Sequence, residues 1–239
     1  AGGVDENYAF SYVDGTLTVD PAPLVCTADD KSKVYGSANP ALTISYTGLK
    51  NGETAPATPP VAACAADETS PVGDYDITLT GGGDPNYALT LADGTLTVTE
   101  KLLTVTAEDK SRLYGDANPA FTVTYDGFVN GDDAGDLTTE PTATCDADLL
   151  SGVGTYDIVA AGGVDENYAF SYVDGTLTVD PAPLVCTADD KSKVYGSANP
   201  ALTITYTGLK NGETAPATPP VAACAADETS PVGPYDITL

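Results

Sequence analysis

Residues 1–73 recur as residues 161–233 with a single change, Ser45 to Thr205, and the next difference is Asp74 against Pro234. A chain that copies itself this closely must fold as repeated units, so the repeat constrains the fold before any single residue does. Inside the period of 160 residues runs a weaker one of about 80. Tyr35-Gly36 returns as Tyr114-Gly115 and Tyr195-Gly196, Asn7-Tyr8-Ala9 as Asn86-Tyr87-Ala88 and Asn167-Tyr168-Ala169, and Gly15 to Val19 as Gly94 to Val98 and Gly175 to Val179. The two spacings are 79 and 81, because the loop from Gly127 to Pro141 is two residues longer than its counterpart from Gly48 to Pro60. The expected organisation is the C-terminal hairpin of an incomplete repeat at 1–20, complete repeats at 22–100 and 101–182, and the N-terminal part of a further repeat at 183–239.

Each repeat alternates inward apolar residues with polar ones, the period of a half-buried strand. Leu24, Cys26 and Ala28 correspond to Leu103, Val105 and Ala107; Leu42, Ile44 and Tyr46 to Phe121, Val123 and Tyr125; Ala62, Cys64 and Ala66 to Ala143, Cys145 and Ala147. Tyr75, Ile77 and Leu79 correspond to Tyr156, Ile158 and Ala160; Tyr87, Leu89 and Leu91 to Tyr168, Phe170 and Tyr172; Leu96 and Val98 to Leu177 and Val179. That predicts six strands per repeat. Asn39-Pro40 and its copies mark turns, since the residue before proline avoids the helical region. Asp14-Gly15, Asp93-Gly94 and Asp174-Gly175 read as hairpin signals between the last two strands. The fold class is therefore all-β, a tandem array of small β-sandwiches of immunoglobulin-like kind. The alternative is a β-grasp-like unit whose short helix lies in the one helical candidate, Gly131 to Leu137, too short to be stable alone.

The run Lys31-Ser32-Lys33-Val34-Tyr35-Gly36-Ser37-Ala38-Asn39-Pro40, with Tyr46-Thr47-Gly48-Leu49 and Asn51-Gly52 after it, resembles the MBG domain of YGX type. So do Val72-Gly73-Asp74-Tyr75-Asp76-Ile77 and the ending Asn86-Tyr87 with Asp93-Gly94-Thr95-Leu96-Thr97-Val98, and the likeness runs through every repeat. The resemblance implies long arrays in large bacterial secreted and surface proteins, many of them read as adhesins, and it carries over no catalytic residue. The cysteines depart from a family pattern that is usually poor in them.

Those five cysteines are Cys26, Cys64, Cys145, Cys186 and Cys224. Alternation points both positions of each pair inward, which suggests disulfides Cys26–Cys64 and Cys186–Cys224, with Cys145 a free thiol because Val105 stands opposite it. Closing such a loop would stabilise by roughly 4 kcal/mol in the chain-entropy model. The plainer alternative is buried thiols acting as small hydrophobes.

Charge and composition exclude several functions. The formal net charge is −26, from 35 acidic and 9 basic residues. No basic stripe exists to displace counterions from phosphate, so nucleic acid is excluded as a partner, and anionic lipid is disfavoured. No run of about 18 apolar residues is present to insert into a membrane. Histidine is absent, which removes the commonest general base and metal ligand and rules out triads that use it. Methionine is absent too, and the chain reads as a window from a longer, processed protein. Asp29, Asp30, Asp189 and Asp190 lie near repeat boundaries and are candidate Ca²⁺ ligands, against the reading of solvated turn carboxylates; no calcium-loop spacing accompanies them. Lys31, Lys110 and Lys191 recur in a polar stretch and read as solvated. Tyr8, Tyr12, Tyr35, Tyr46 and Tyr75 read as core or strand-capping aromatics, with a carbohydrate-stacking platform as the alternative.

The expectation is no enzyme and no cofactor, but an extracellular or cell-surface structural segment: a rod, spacer or filament building block. The alternative is an adhesin module for a glycan or cell-surface ligand. Partners are then neighbouring repeats of one continuous chain, or head-to-tail copies in which residues 1–20 of one complete residues 183–239 of the next.

Overall fold

The computed structural model describes residues 2–239, which form two compact units, residues 2–101 and 102–239. In the first unit, residues 22–99 form seven strands: β1 (Ala22–Ala28), β2 (Lys31–Val34), β3 (Ile44–Thr47), β4 (Val61–Cys64), β5 (Gly73–Thr80), β6 (Tyr87–Ala92) and β7 (Gly94–Thr99). They make one three-stranded sheet, β3-β1-β6, and one four-stranded sheet, β2-β7-β5-β4. Strands β1/β6 and β2/β7 run parallel, the others antiparallel. Inward residues of both sheets close one core, with Leu24, Cys26, Ile77 and Leu96 fully buried and Ile44, Tyr46, Ala62 and Cys64 packed against it. This is the expected all-β unit, with two sheets closing on one core.

The second unit continues with β8 (Lys101–Ala107), β9 (Lys110–Leu113), β10 (Val123–Asp126), β11 (Thr142–Thr144), β12 (Gly154–Ala161), β13 (Tyr168–Val173) and β14 (Gly175–Asp180). Their sheets, β10-β8-β13 and β11-β12-β14-β9, repeat the first pattern around Val105, Ile158, Leu177 and Val179. The helical candidate of the alternative fold, Gly131 to Leu137, holds one 3₁₀ turn, Ala134–Asp136, capped by Asp133, whose carboxylate accepts the Gly135 amide at 2.7 Å. The third repeat follows as β15 (Val185–Ala188), β16 (Ile204–Thr207), β17 (Ala223–Cys224) and β18 (Ile237–Thr238), in two-stranded pairs β15-β16 and β17-β18.

Two expectations change. Each complete repeat has seven strands, not six. The extra ones, β2 and β9, place Lys33 and Arg112 inward, so their alternation carries no apolar signal. The Asp-Gly pairs are not hairpin turns either: β6 and β7 belong to different sheets, and Asp93-Gly94 is the corner between them. Its glycine is needed for close approach, since a Cβ on Gly94 would stand 2.4 Å from the Ala28 carbonyl oxygen. Asp93 holds the corner by accepting the Leu79 amide at 3.0 Å.

Candidate functional site: the repeat clasp and the junction it forms

Each repeat carries the same internal clasp. Lys33 is 7% exposed, and its ammonium donates to the carbonyls of Ser37, at 3.1 Å, and Asp67. Arg112, equally buried, donates from Nε to Asn118 Oδ1 at 2.7 Å and from Nη2 to the Asp148 carbonyl. Lys193 reaches the Asp227 carbonyl at 2.5 Å. Beside each cation an asparagine Nδ2 donates to the next loop: Asn39 to Ala66 O at 2.5 Å, Asn118 to Ala147 O at 2.6 Å, Asn199 to Ala226 O at 2.6 Å. A buried cation is tolerated only when its donors are satisfied, and here backbone carbonyls, with the Asn118 side-chain oxygen at Arg112, do it without a counter-ion. In a chain with nine basic residues this is a specific use of three of them. The residue missed by apolar patterning is thus a polar one, and its signal was the register of Lys33, Arg112 and Lys193.

The clasp sets the Tyr-Gly-X turn. Gly36, Gly115 and Gly196 take φ of 79°, 78° and 85°, a left-handed conformation costly for other residues. In the second unit this turn meets the Asn-Gly turn of the following repeat. The Tyr114 hydroxyl donates to Glu213 Oε1 at 2.6 Å, Lys210 Nζ lies 2.9 Å from Asp116 Oδ1, and Asn211 Nδ2 donates to the Leu149 carbonyl at 3.0 Å. A Cβ on Gly115 would stand 2.5 Å from Lys210 Cβ. Gly115 therefore serves both the turn and the joint. Asn211 and Gly212, at φ 51° and 78°, present Lys210 and Glu213 to either side of Gly115.

The acidic residues tie strands. Asp29 accepts the Ser45 and Thr43 hydroxyls, each at 2.5 Å, which holds its carboxyl below the usual range. Asp189 does the same with Thr203 and Thr205. Asp30 accepts the Thr95 amide at 2.8 Å, and Asp109 that of Thr176 at 2.7 Å, pinning the start of β7 and β14. Lys110 Nζ lies 3.1 Å from Glu108 Oε2. Among the described residues no three His, Cys, Asp or Glu side chains group as a metal site. All five cysteines are free thiols in the structure. Cys26 and Cys64 border one core from opposite sheets, and burial pushes the Cys26 thiol up.

The tyrosines divide. Tyr35 is buried, and the hydroxyls of Tyr75, Tyr156 and Tyr235 each donate to the carbonyl four residues before them. Tyr8 and Tyr12, expected in a core or as caps, are 74% and 58% exposed. They belong to residues 2–21, which pair with no strand among the described residues. The same sequence forms β13 and β14, where Tyr168 is 3% exposed and Leu177 fully buried.

The third repeat shows the counterpart. In the complete repeats β7 and β14 lie between β2 and β5 or β9 and β12. Here that position is an open groove of about 400 Å³, flanked by Lys191, Lys193, Leu202, Cys224, Tyr235 and Ile237. Leu184, Cys186 and Ile237 are only half-buried, whereas Leu24, Cys26 and Ile77 are 0% exposed. The groove lies at the position that β7 and β14 occupy in the complete repeats.

The family model for the MBG domain (YGX type) matches residues 24–97, 103–178 and 184–239. Among curated proteins none matches the chain.

Proposed function

From the premise that this chain belongs to the MBG domain (YGX type) family, we propose that it is a non-catalytic structural segment of an extracellular or cell-surface protein, working as a spacer, rod or filament building block. The family is a structural one, and its repeats occur in surface proteins. Among the described residues no helix is long and apolar enough to cross a membrane.

The observation that carries the reading is the joint at Gly115. In the second repeat the Tyr-Gly-X turn is held against the next repeat by an ion pair and two hydrogen bonds. A repeat protein whose stability is the sum of its units and their interfaces bears load unit by unit.

Force spectroscopy on the chain tests this. Each complete repeat should unfold as one event, releasing about 27 nm of contour at roughly 3.4 Å per residue. One event spanning both repeats would contradict it. Specific retention on a glycan array would favour the adhesin reading.

A further inference from the structure

We propose that Cys26 and Cys64 close into a disulfide that ties the two sheets of the first repeat together. The crosslink goes beyond the structural-segment reading and rests on its extracellular part only for the compartment, since disulfides persist where the medium is oxidising.

The two thiols belong to different sheets and face one core. Strand β1, in the middle of its three-stranded sheet, turns Leu24, Cys26 and Ala28 inward, and Cys26 is fully buried. Strand β4 is the edge of the four-stranded sheet and pairs with β5 alone. Its Cys64, opposite Ile77, is half-buried against the same core. Antibody domains show that a disulfide can span two packed sheets. Here it would fasten a four-residue edge strand to the middle of the opposite sheet.

The second repeat supplies the comparison. Val105 stands where Cys26 does and is also fully buried, and Cys145 packs against that core in the place of Cys64. A valine therefore fills the position, so packing alone does not call for sulfur there. Where the first position is cysteine, the second is too: the pair returns as Cys186 and Cys224. Cys145, with valine at the first position, stays a thiol.

The chemistry is thiol–disulfide exchange, in which the thiolate is the nucleophile. Cys64 is the more accessible of the two and reacts first. It loses its proton to solvent, and its thiolate attacks a small-molecule disulfide such as oxidised glutathione. A mixed disulfide forms on Cys64 and one glutathione thiolate leaves. Cys26 then loses its proton, attacks the Cys64 sulfur and releases the second glutathione thiolate. Two cysteine thiols are oxidised by two electrons, and one glutathione disulfide is reduced to two thiols, which take up the two protons. A buried thiol is inert, so the second step belongs to folding, before the sheets close over Cys26.

The test refolds the full chain from urea in oxidised and reduced glutathione, blocks the remaining thiols and digests with trypsin, which separates residues 1–31 from 51–101. Those two peptides should emerge joined, with Cys145 blocked. Blocked thiols at both Cys26 and Cys64, or either one joined mainly to another cysteine, overturn the proposal. Force spectroscopy reads the same bond independently. Reduced, each complete repeat should release about 27 nm of contour. Oxidised, the bond withholds the stretch 26–64, about 13 nm at roughly 3.4 Å per residue, so the first repeat's event should shrink to about half while the second's stays full. Cys26→Val, which copies Val105, should restore the full release in oxidising buffer, and Cys145→Ser should change neither event. A full release from the oxidised first repeat, or a shortened one from Cys26→Val, contradicts the crosslink. If the repeats still unfold one by one while the first keeps its full length, the crosslink fails and the structural-array reading stands. If one event spans both repeats, that reading fails and the joined peptides still decide the crosslink.

Discussion

Residues 2–20 and 162–180 have one sequence and two states. The second copy is β13 and β14, with Tyr168, Leu177 and Val179 buried. The first has no strand, and its Tyr8, Leu17 and Val19 face solvent. What the copies share is local: the Asp5 carboxylate accepts the Asn7 amide at 2.8 Å, as Asp165 does from Asn167 at the same distance, and both copies keep the tyrosine hydrogen bond and the Phe-Tyr stack. What differs is everything non-local. Asp165 also lies 3.3 Å from the Thr138 amide, and Gly175 lies against the Ala107 carbonyl. Alternation in a sequence therefore specifies a face, and only a partner strand makes that face a strand. The third repeat gives the converse: 51 residues, 183–233, match 23–73 at all but one position, yet among the described residues of that repeat only Ala226 is a buried apolar side chain.

The comparison breaks most sharply at leucine. Leu177→Ala should destabilise the second repeat by about 2–5 kcal/mol, the range for a truncated core leucine. In monomeric protein, the same change at Leu17 should move stability by no more than about 0.5 kcal/mol, as for an exposed residue. Urea melts of the two variants check this, and equal effects would show that the two copies share one environment.

A smaller effect should be common to complete and open repeats. The Asp29 and Asp189 carboxyls are held below their usual range by the Ser45 and Thr43 hydroxyls and by those of Thr203 and Thr205. A lowered folded pKa gives stability that is fully present above the unfolded value, near pH 3.9, and lost as pH falls through the folded one. Melting temperature should lose this contribution only below about pH 4. Ser45→Ala should raise the Asp29 pKa and flatten that acid-side loss, as read by carboxyl NMR titration alongside thermal melts. An unmoved Asp29 titration would remove the bracket from the account.

Much of this architecture was legible. Leu24, Leu96, Leu103, Ile158 and Leu177 were placed inward by alternation and are fully buried. Lys33 and Arg112 were not, because a buried cation satisfied by carbonyls looks in a sequence like any solvated lysine or arginine. The two-sheet split at Asp93-Gly94 was hidden for a related reason: a glycine chosen for close approach reads the same as one chosen for a turn. The joint was invisible because nothing in the composition of Tyr114-Gly115-Asp116 says that Lys210 will pack there. The exposure of Tyr8 and Tyr12 depends on residues elsewhere in the molecule, which no local pattern records.

Hydrogen exchange at Thr18 and Thr178 in dilute protein addresses the central claim, that a partner strand makes an alternating face a strand, most directly. Thr178 should be protected, and Thr18 should exchange freely. A Thr18 amide protected at dilutions where only single chains exist, or a Thr178 amide that exchanges as fast as Thr18 there, would contradict it.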